Sequence, residues 1–284
     1  MECQVGSESE QKGQSRPEQE PLQPESKPLE LESLELERSQ LRAILSRGGL
    51  TTIAPVVATS LAEVAPQWRA VAEAGADLVE WRLDLLPAEE QNLQVIEDLG
   101  RALRTKFGTP VLATWRTSDE GGGLNVSAPA EQSHYERAVK SVARWADMVD
   151  IEIGRPDADV LIVEVGHQAL VVASFHDFQP PVDEALLKKQ ILRMTKSGAE
   201  VSKVAAIVAD QTDLEKIHAV QDWAAALSAP TVVIGMGSVG KETRLGARAT
   251  QNAFSFASVG ESSAPGQPTL VELEQSCSEQ NLPG

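Results

Sequence analysis

Two residues inside apolar, β-rich runs have side chains that could make and break covalent bonds. Lys203 lies in the run VSKVAAIV, where burial would disfavour the ammonium, lower the pKa and leave a free amine that can attack a carbonyl. His176 lies near the end of the run VVASFHD, where an imidazole could act as general acid or base. Each residue also has a plainer interpretation. The lysine could extend to solvent from the start of a strand, and the histidine could bind a neighbouring loop.

Acidic and basic residues near the ends of other apolar runs form a second group. Several recur at every other position, which places them on one face of an extended strand. Charges on one face of an apolar strand are costly to bury unless they pair or bind a ligand. A structural layer of ion pairs therefore explains Asp84, Asp150 and Glu152 as well as a binding site does. The group comprises Glu80, Arg82 and Asp84 in VEWRLD, Arg116 with Glu120 ahead of three glycines, and Asp150 with Glu152 in DIEI.

Two glycine-containing turns follow the last two apolar runs. Residues 236–244, MGSVGKETR, place two glycines ahead of Arg244 and look like an anion-binding turn, although the spacing does not match a phosphate-binding P-loop. Residues 263–267, SAPGQ, form a polar turn that could close a barrel or reach over a ligand. Arginines such as Arg82, Arg116 and Arg244 are suited to binding a carboxylate through paired hydrogen bonds.

These residues need a scaffold that brings the ends of several strands together. From Thr52 onward, short β-rich runs alternate with amphipathic helical stretches. Eight runs that are apolar on both faces favour a closed α/β fold, the (β/α)8 TIM barrel, in which functional side chains lie at the C-terminal ends of the strands. The first strand is not followed by G-x-G-x-x-G, which argues against dinucleotide binding. The predicted strands are 53–59, 77–84, 110–116, 148–154, 170–177, 201–208, 231–236 and 254–259, and the predicted helices include 61–74, 89–104, 129–146, 183–197, 212–227 and 268–276.

Composition and charge exclude several classes of function. The chain has 284 residues, of which 42% are hydrophobic, so one large core can form. Its net charge of −17 argues against a nucleic-acid partner, which needs clustered Lys and Arg. The sequence shows no apolar stretch of membrane-spanning length and no secretory signal at the N-terminus. Cys3 and Cys277 form neither a zinc motif nor a disulfide framework, and a cytoplasmic location is therefore expected.

Three segments are expected along the chain. Residues 1–49 are acidic and rich in Gln, Ser and Pro, which predicts a mostly disordered tail, with a short helix possible over residues 29–45, or else a segment that docks on a partner. Residues 50–276 would form the barrel and residues 277–284 a C-terminal tail. A chain that begins near Gly49 is expected to fold and function, with the reservation that residues 41–50 could close the bottom of the barrel.

The order of these motifs resembles that of the type I 3-dehydroquinate dehydratase family. The resemblance covers about residues 52–275. One departure is Thr243, which stands where the family usually has serine and which keeps a hydroxyl. The matching features, in chain order, are Glu80-Trp-Arg82-Leu-Asp84, Arg116 with Glu120-Gly-Gly, Asp150-Ile-Glu152, His176-Asp177, Lys203, Met236 through Arg244, and Ser263-Ala-Pro-Gly-Gln267.

The resemblance implies a Schiff-base dehydration of 3-dehydroquinate to 3-dehydroshikimate, a step of the shikimate pathway toward aromatic amino acids. It implies a homodimeric hydro-lyase that uses no metal or organic cofactor, because a lysine supplies the electrophile. The implied catalytic residues are Lys203 as nucleophile, His176 as proton shuttle and Glu120 as the acid that orients the histidine. The implied substrate-binding residues are Arg244, Ser263 and Gln267 at the carboxylate, Glu80 and Arg82 at the ring hydroxyls, and Arg116.

Two other functions remain open at this point. Another lyase with a Schiff-base lysine, such as an aldolase, would share Lys203 but would normally bind a phosphate, and the turn after the seventh predicted strand is a weak phosphate loop. A non-catalytic barrel would bind a carboxylate or serve as a scaffold, and it would form no covalent adduct. A comparison of turnover with dehydroquinate and with sugar phosphates tests the first alternative. Borohydride trapping of a covalent adduct tests the second.

Overall fold

Eight parallel strands form the centre of the computed structural model, which describes residues 28–46, 49–260 and 266–279. The strands are short and rich in Val, Ile, Leu and Ala, which suits a sheet buried on both faces. Each strand falls within a predicted run or begins one residue before it. The strands are β1 (Thr52–Val56), β2 (Leu78–Arg82), β3 (Val111–Thr114), β4 (Met148–Glu152), β5 (Leu170–Asp177), β6 (Val201–Ile207), β7 (Thr231–Met236) and β8 (Ser255–Phe256).

Helices alternate with the strands and surround them. One helix precedes β1. Each strand is followed by a helix, as the sequence pattern predicts. Short 3-10 turns at the C-terminal ends of β2, β3 and β7 come before the next helix. Within the described ranges, the helices are all too short or too polar to cross a membrane. They are α1 (Pro28–Ser46), α2 (Leu61–Glu73), α3 (Leu93–Phe107), α4 (Pro129–Val142), α5 (Ala158–Gly166), α6 (Glu184–Lys196), α7 (Gln211–Ala225), α8 (Gly246–Gln251) and α9 (Leu270–Glu279).

The strand order rolls the sheet into a barrel. Strands β1 to β7 pair in sequence and in parallel, and β8 pairs with β1. Between β7 and β8, the backbone N–H of Ala253 donates to the carbonyl of Thr231 over 2.8 Å. The side-chain carbonyl of Asn252 accepts the N–H of Val233 over 2.8 Å nearby. The result is a nearly closed (β/α)8 barrel, which confirms the predicted fold class.

Successive residues of each strand point alternately into the barrel and toward the surrounding helices. Near the N-terminal ends of the strands, Leu78, Leu112 and Met148 are fully buried in one apolar layer of the interior. Two residues further along, the same face carries polar groups such as Glu80 and Asp150. Burial of the apolar layer stabilises the fold and leaves the other end of the barrel to polar side chains.

Helix α1 covers the N-terminal end of the barrel. Leu41 and Leu45 lie one turn apart, are each 4% exposed, and pack in the same apolar cluster as the interior layer. Beside them, Arg42 Nε donates to Glu200 Oε2 over 2.9 Å. The helix is therefore attached to the barrel by apolar contacts and by an ion pair.

Residues 28–46 form α1, which lies where the sequence allowed a short helix over residues 29–45, so the expectation of a mostly disordered tail does not hold for this part. The composition of residues 1–49 as a whole is typical of a disordered segment, whereas the spacing of Leu41 and Leu45 gives one apolar helix face. At the other end, α9 continues to Glu279, three residues beyond the expected end of the barrel at 276. Residues 1–27 lie outside the described ranges, and the expectation for them stays a prediction.

Replacing Leu41 and Leu45 together by alanine should lower the melting temperature of the full chain. Each buried leucine-to-alanine change typically costs about 2–5 kcal/mol through lost burial and the cavity left behind. Ser39→Ala with Gln40→Ala is the matched control, because both residues are exposed on the same helix. Thermal unfolding followed by circular dichroism distinguishes the two double variants. Equal melting temperatures would mean that α1 adds no stability, as the disordered-tail expectation requires.

Candidate active site

A cavity of about 130 Å³ opens at the C-terminal end of the barrel, opposite α1. Because the C-terminal ends of all parallel strands meet there, residues far apart in sequence face one space. Every predicted site residue within the described ranges lines this cavity. The lining residues are Glu80, Arg82, Arg116, Glu120, Gly121, His176, Phe178, Lys203, Ala205, Ile234, Met236, Arg244, Phe256 and Gln267.

Lys203 lies on β6 with its side chain only 6% exposed. Its Nζ lies 4.4 Å from the centroid of the Phe256 ring and 3.9 Å from Asp150 Oδ2. Burial lowers the pKa of Lys203 below its usual 10.5, nearby arginines lower it further, and Asp150 opposes them. The amine therefore reaches its neutral, nucleophilic form at a lower pH than an exposed lysine does.

A carboxylate binds the ring of His176. The Nδ1 atom of His176 lies 2.8 Å from Glu120 Oε2, and the backbone N–H of His176 donates to the same oxygen over 3.1 Å. Strand β5 carries the histidine, and the 3-10 turn Ser118–Glu120 after β3 carries the acid. With Nδ1 engaged, Nε2 is the ring nitrogen left to exchange a proton with a ligand.

Burial also sets the charge states of this pair. The pKa of His176 lies well below 6.5 because the ring is buried and because Arg116, Lys203 and Arg82 repel a second positive charge. Burial raises the pKa of Glu120 to about 8, although Arg116 favours the ionised form. The imidazole is therefore uncharged at neutral pH, and the carboxyl group of Glu120 titrates close to that pH.

Arg116 is buried at the C-terminal end of β3 among acidic side chains. Its Nη2 donates to Asp150 Oδ2 over 2.7 Å, and its Nη1 donates to Ser174 Oγ over 2.8 Å and to Glu152 Oε1 over 3.2 Å. Glu120 Oε2 accepts a longer bond of 3.5 Å from the same Nη1. Burial lowers the pKa of Arg116, but the acids more than offset this and raise it well above that of an exposed arginine. Asp150 and Glu152 thus belong to the ion-pair layer that the sequence left as an alternative.

A second buried pair lies on the neighbouring strand. Arg82 donates from Nε to Asp84 Oδ1 and from Nη2 to Asp84 Oδ2, each over 2.8 Å. The backbone N–H of Gly123 donates to Asp84 Oδ2 over 2.9 Å. Strand β2 ends at Arg82, so Asp84 lies in the following 3-10 turn rather than on the predicted strand 77–84. The two hydrogen bonds from Arg82 to Asp84 fix the plane of the guanidinium at the cavity wall.

The glycines after Glu120 are explained by close backbone contacts. A Cβ atom at Gly122 would lie 2.1 Å from the carbonyl oxygen of Arg116, and one at Gly123 would lie 2.3 Å from the carbonyl oxygen of Asp84. Neither position can therefore carry a side chain without displacing one of these backbones. The loop that holds Glu120 is packed directly on the residues beside it.

Arg244 lies in the 3-10 turn after β7 and is 2% exposed. Burial lowers its pKa to about 10, so the side chain remains a cation at neutral pH. The neighbouring Thr243 Oγ1 accepts the N–H of Gly235 over 2.9 Å, a contact made by the hydroxyl that threonine shares with serine. Gln267, which is 9% exposed, lines the same cavity. Ser263 lies outside the described residues, and its expected role stays a prediction.

Several side chains of the site were not predicted from the sequence. Ser174 lies two residues before His176 on the same strand face, and this alternation was a usable signal. Phe256 and Phe178 also line the cavity, and Phe256 contacts Lys203. An apolar residue in an apolar run carries no signal that separates a cavity wall from a core position.

The arrangement combines a buried amine, an imidazole bound to a carboxylate, and several guanidiniums. The amine could condense with a ketone, the imidazole could move a proton, and Arg244 or Arg82 could bind an anion. In the described parts of the chain, His, Cys, Asp and Glu side chains form no group of three that could hold a metal ion. The expectation of a reaction without cofactor stays a prediction.

Comparison with known proteins decides the family. A family model described as type I 3-dehydroquinase matches residues 52–280. The chain belongs to the type I 3-dehydroquinase family. The resemblance expected from the motifs is thereby confirmed, and α1 precedes the part of the chain that the family model matches.

Relatives of the family match along most of the chain. The catabolic 3-dehydroquinate dehydratase of Acinetobacter baylyi is 31% identical over 232 residues, which cover 79% of this chain and 84% of the relative. The 3-dehydroquinate dehydratase of Shouchella clausii is 32% identical over 225 residues, covering 78% and 87%. The crystal structure of 3-dehydroquinate dehydratase from Geobacillus kaustophilus aligns with a TM-score of 0.73 and 26% identity, covering 81% of this chain and 91% of that one. The family domain is thus present over nearly its whole length.

Glu120→Gln should change how stability depends on pH. Because the pKa of Glu120 is raised from 4.5 to about 8, the folded chain holds a proton there that the unfolded chain releases. The free energy of unfolding contributed by this group therefore falls as pH rises from 4.5 to about 8. Glutamine stays neutral and lacks this loss. The melting temperature of the variant, relative to wild type, should thus increase between about pH 5 and about pH 8.

Thermal melts at both pH values test this expectation. Asp119→Asn is the matched control, because Asp119 lies in the same turn with its side chain 57% exposed. Its difference from wild type should not grow with pH in the same way. If the Glu120→Gln difference also fails to grow, Glu120 is ionised in the folded chain across the whole range.

Proposed function

We propose that this chain dehydrates 3-dehydroquinate to 3-dehydroshikimate through a Schiff base on Lys203, with His176 as proton shuttle. This is the shikimate-pathway step toward aromatic amino acids. Its curated relatives in this family are 3-dehydroquinate dehydratases. The observation that carries the assignment of residues is the buried Lys203 amine, which faces one cavity with an imidazole bound to a carboxylate.

The first half of the proposed reaction forms the imine. Lys203 Nζ attacks the ketone carbon and a C–N bond forms. The ketone oxygen then leaves as water, and one proton taken up from solvent gives the iminium cation. The resulting iminium draws electrons from the adjacent carbon and makes the α-proton acidic, so the lysine itself supplies the electron sink. The lowered pKa of Lys203 favours this step, since only the neutral amine is a nucleophile.

The second half moves a proton and expels a hydroxyl. His176 takes the α-proton, and the electron pair passes to the nitrogen to give an enamine. When the enamine collapses, the hydroxyl β to the original ketone leaves and His176 returns a proton to it. Glu120, bound at Nδ1, orients the ring and stabilises the charge that the proton brings. Water then hydrolyses the imine and frees Lys203.

We propose that cations in the cavity bind the substrate carboxylate despite the net charge of −17. Arg244, with Ser263 and Gln267, is assigned to this group. The guanidinium of Arg244 is buried yet stays charged at neutral pH, which suits the recognition of an anion in a site with little water. Local positive charge at the cavity thus outweighs repulsion by acids on the rest of the surface.

The ring hydroxyls are assigned to the opposite wall of the site. Glu80 can accept a hydroxyl proton, and Thr114 Oγ1 already donates to Glu80 Oε1 over 2.9 Å. Arg82, held by Asp84, can donate to a hydroxyl oxygen. Arg116 lines the same cavity and is proposed to contact the ring as well, although much of its guanidinium is engaged by acids.

We also propose that the catalytic unit comprises α1 and the barrel as far as α9, that two copies form a homodimer, and that the enzyme acts in the cytoplasm. Family membership supports the dimer, and the packing of Leu41 and Leu45 supports including α1. Neither nucleic acid nor a membrane is proposed as a partner. Analytical ultracentrifugation of the full chain tests the dimer, and a monomer at micromolar concentration contradicts it.

Lys203 should be the site of covalent modification when the chain is incubated with 3-dehydroquinate and sodium borohydride. The wild type should lose activity and gain one ligand mass, and peptide mapping should place that mass on Lys203. Lys203→Ala and Lys203→Arg should form no adduct, because alanine has no amine and a guanidinium keeps its charge and cannot form the imine. Intact mass spectrometry and turnover assays give both readouts.

His176→Ala is the matched comparison, since it removes the shuttle and leaves the amine. It should still form a reducible adduct while turnover falls by roughly 10²–10⁴-fold, the usual contribution of a general acid–base group. An adduct on another lysine, or full activity of Lys203→Ala, contradicts the proposed mechanism. Normal turnover of His176→Ala removes only the histidine from it.

Arg244→Ala should act mainly on substrate binding. Truncating one partner of a buried charge pair typically costs about 2–5 kcal/mol, so kcat/KM should fall by about 30-fold or more, mostly through KM. Lys241→Ala is the control, because Lys241 lies in the same turn but bonds to Glu272 outside the cavity. Steady-state kinetics on both variants decide the assignment. An unchanged KM in Arg244→Ala would place the carboxylate elsewhere, with Arg116 as the next candidate.

A further inference from the structure

Asp150 is a buried acid that the proposed reaction does not use, although it lies next to the reacting amine. Its side chain is 2% exposed on β4. Its Oδ2 lies 3.9 Å from Lys203 Nζ and accepts Arg116 Nη2 over 2.7 Å. Its Oδ1 accepts the hydroxyl of Ser174 over 2.6 Å. Both oxygens are therefore held in place, one of them between the guanidinium and the amine.

Asp150 is not the only acid that Arg116 neutralises, because the guanidinium also binds Glu152. Glu152 Oε1 accepts Arg116 Nη1 over 3.2 Å, and Glu152 is also bonded to the N–H and the hydroxyl of Thr117 over 2.7 and 2.6 Å. One guanidinium thus faces two buried carboxylates. Part of the negative charge of Asp150 is left for the cation on its other side, which is the Lys203 side chain.

The proposed chemistry changes the charge at this point. Once the C–N bond has formed, the uptake of a proton and the loss of water convert the neutral amine into an iminium cation. That charge is lost again when the α-proton leaves and the enamine forms. A fixed anion close to the nitrogen favours the cationic states over the neutral ones. It also fixes the direction of a flexible four-carbon side chain.

We propose that Asp150 is a positioning residue that holds Lys203 Nζ in the cavity and serves as the counter-ion of the cation formed there. The inference rests on the proposed function for the iminium, but the contact with Lys203 exists without substrate. Ser174 keeps Asp150 from rotating toward Arg116 alone. Asp150 thereby links the ion-pair layer to the reacting nitrogen.

Other charged groups also face Lys203, and each of them raises or lowers the pKa of the amine. Burial lowers the pKa of Lys203 most, Asp150 and Glu80 raise it, and Arg116 and Arg82 lower it. Removal of the negative charge of Asp150 therefore lowers the pH at which the amine becomes neutral. The charged and titratable groups around Lys203 are Glu80 and Arg82 on β2, Arg116 after β3, Asp150 on β4 and His176 on β5, and the Phe256 ring approaches from β8.

Competitive labelling of the full chain with acetic anhydride measures the pH at which the Lys203 amine becomes neutral, and it needs no substrate. The acetylation of Lys203 is followed against pH by peptide mass spectrometry. In Asp150→Asn the midpoint should move about one unit or more toward lower pH, since an opposite charge within about 4–6 Å commonly shifts a pKa by 1–3 units. Asparagine keeps the size of the side chain, and Arg116 keeps Glu152 as a partner, which favours folding.

Glu152→Gln is the matched control. It removes the same charge from the same arginine, but Glu152 contacts Thr117 rather than Lys203, so the midpoint should move much less. Asp150→Glu retains the charge and should keep the midpoint at or above that of wild type, which decides the matter if Asp150→Asn does not fold. An unshifted midpoint in Asp150→Asn, or a lowered one in Asp150→Glu, overturns the inference.

The proposed function and the proposed role of Asp150 can be disproved independently of each other. If borohydride places no dehydroquinate on Lys203 of the wild type, the proposed function fails whatever the labelling shows. If that adduct forms but Asp150→Asn leaves the labelling midpoint unchanged, only the role of Asp150 is lost. If both hold, Asp150→Asn should also form the borohydride adduct more slowly than wild type.

Discussion

Burying a guanidinium costs several kcal/mol unless anions surround it, and Arg116 is buried at the end of β3 with Asp150, Glu152 and Glu120 around it. These acids would repel one another without the arginine, and the arginine would not stay buried without the acids. Each acid also reaches a second group: Glu120 binds His176, Glu152 binds Thr117, and Asp150 approaches Lys203. The geometry of the reacting groups therefore follows from one balanced cluster of buried charge.

The barrel separates the part that stabilises from the part that binds. On several strands the interior face changes from apolar to polar within two residues, as from Leu78 to Glu80 or from Met148 to Asp150. The apolar layer and α1 close one end, and the polar layer forms the other. Loss of a polar side chain from the cavity leaves most of the apolar contacts in place, which is why such a site can be altered without losing the fold.

The sequence was most informative where a residue conflicts with its surroundings. A lysine inside VSKVAAIV and a histidine ending an apolar strand are conspicuous, and every strand was predicted to within a few residues because alternation and β-branched residues extend over each unit. Helix α1 was expected only as a possible short helix, because its apolar face consists of a few leucines in an acidic segment. The contact between Asp150 and Lys203 was also missed, since no local pattern reports which strands of a barrel bring their side chains together. For Phe256, hydrophobicity alone gave no reason to assign a cavity rather than the core.

The close packing of the loop after Glu120 limits how this site could be transferred to another scaffold. Gly122 and Gly123 leave no room for a Cβ between the backbones of Arg116 and Asp84, so the main chains of these segments lie in direct contact. A designer who grafts the lysine, the histidine and the glutamate onto a different barrel would copy the side chains but not this contact. Without it, the acid would sit on a loop of arbitrary shape, and its distance to the imidazole would no longer be fixed. The part of the active site hardest to transplant is thus the part that has no side chains.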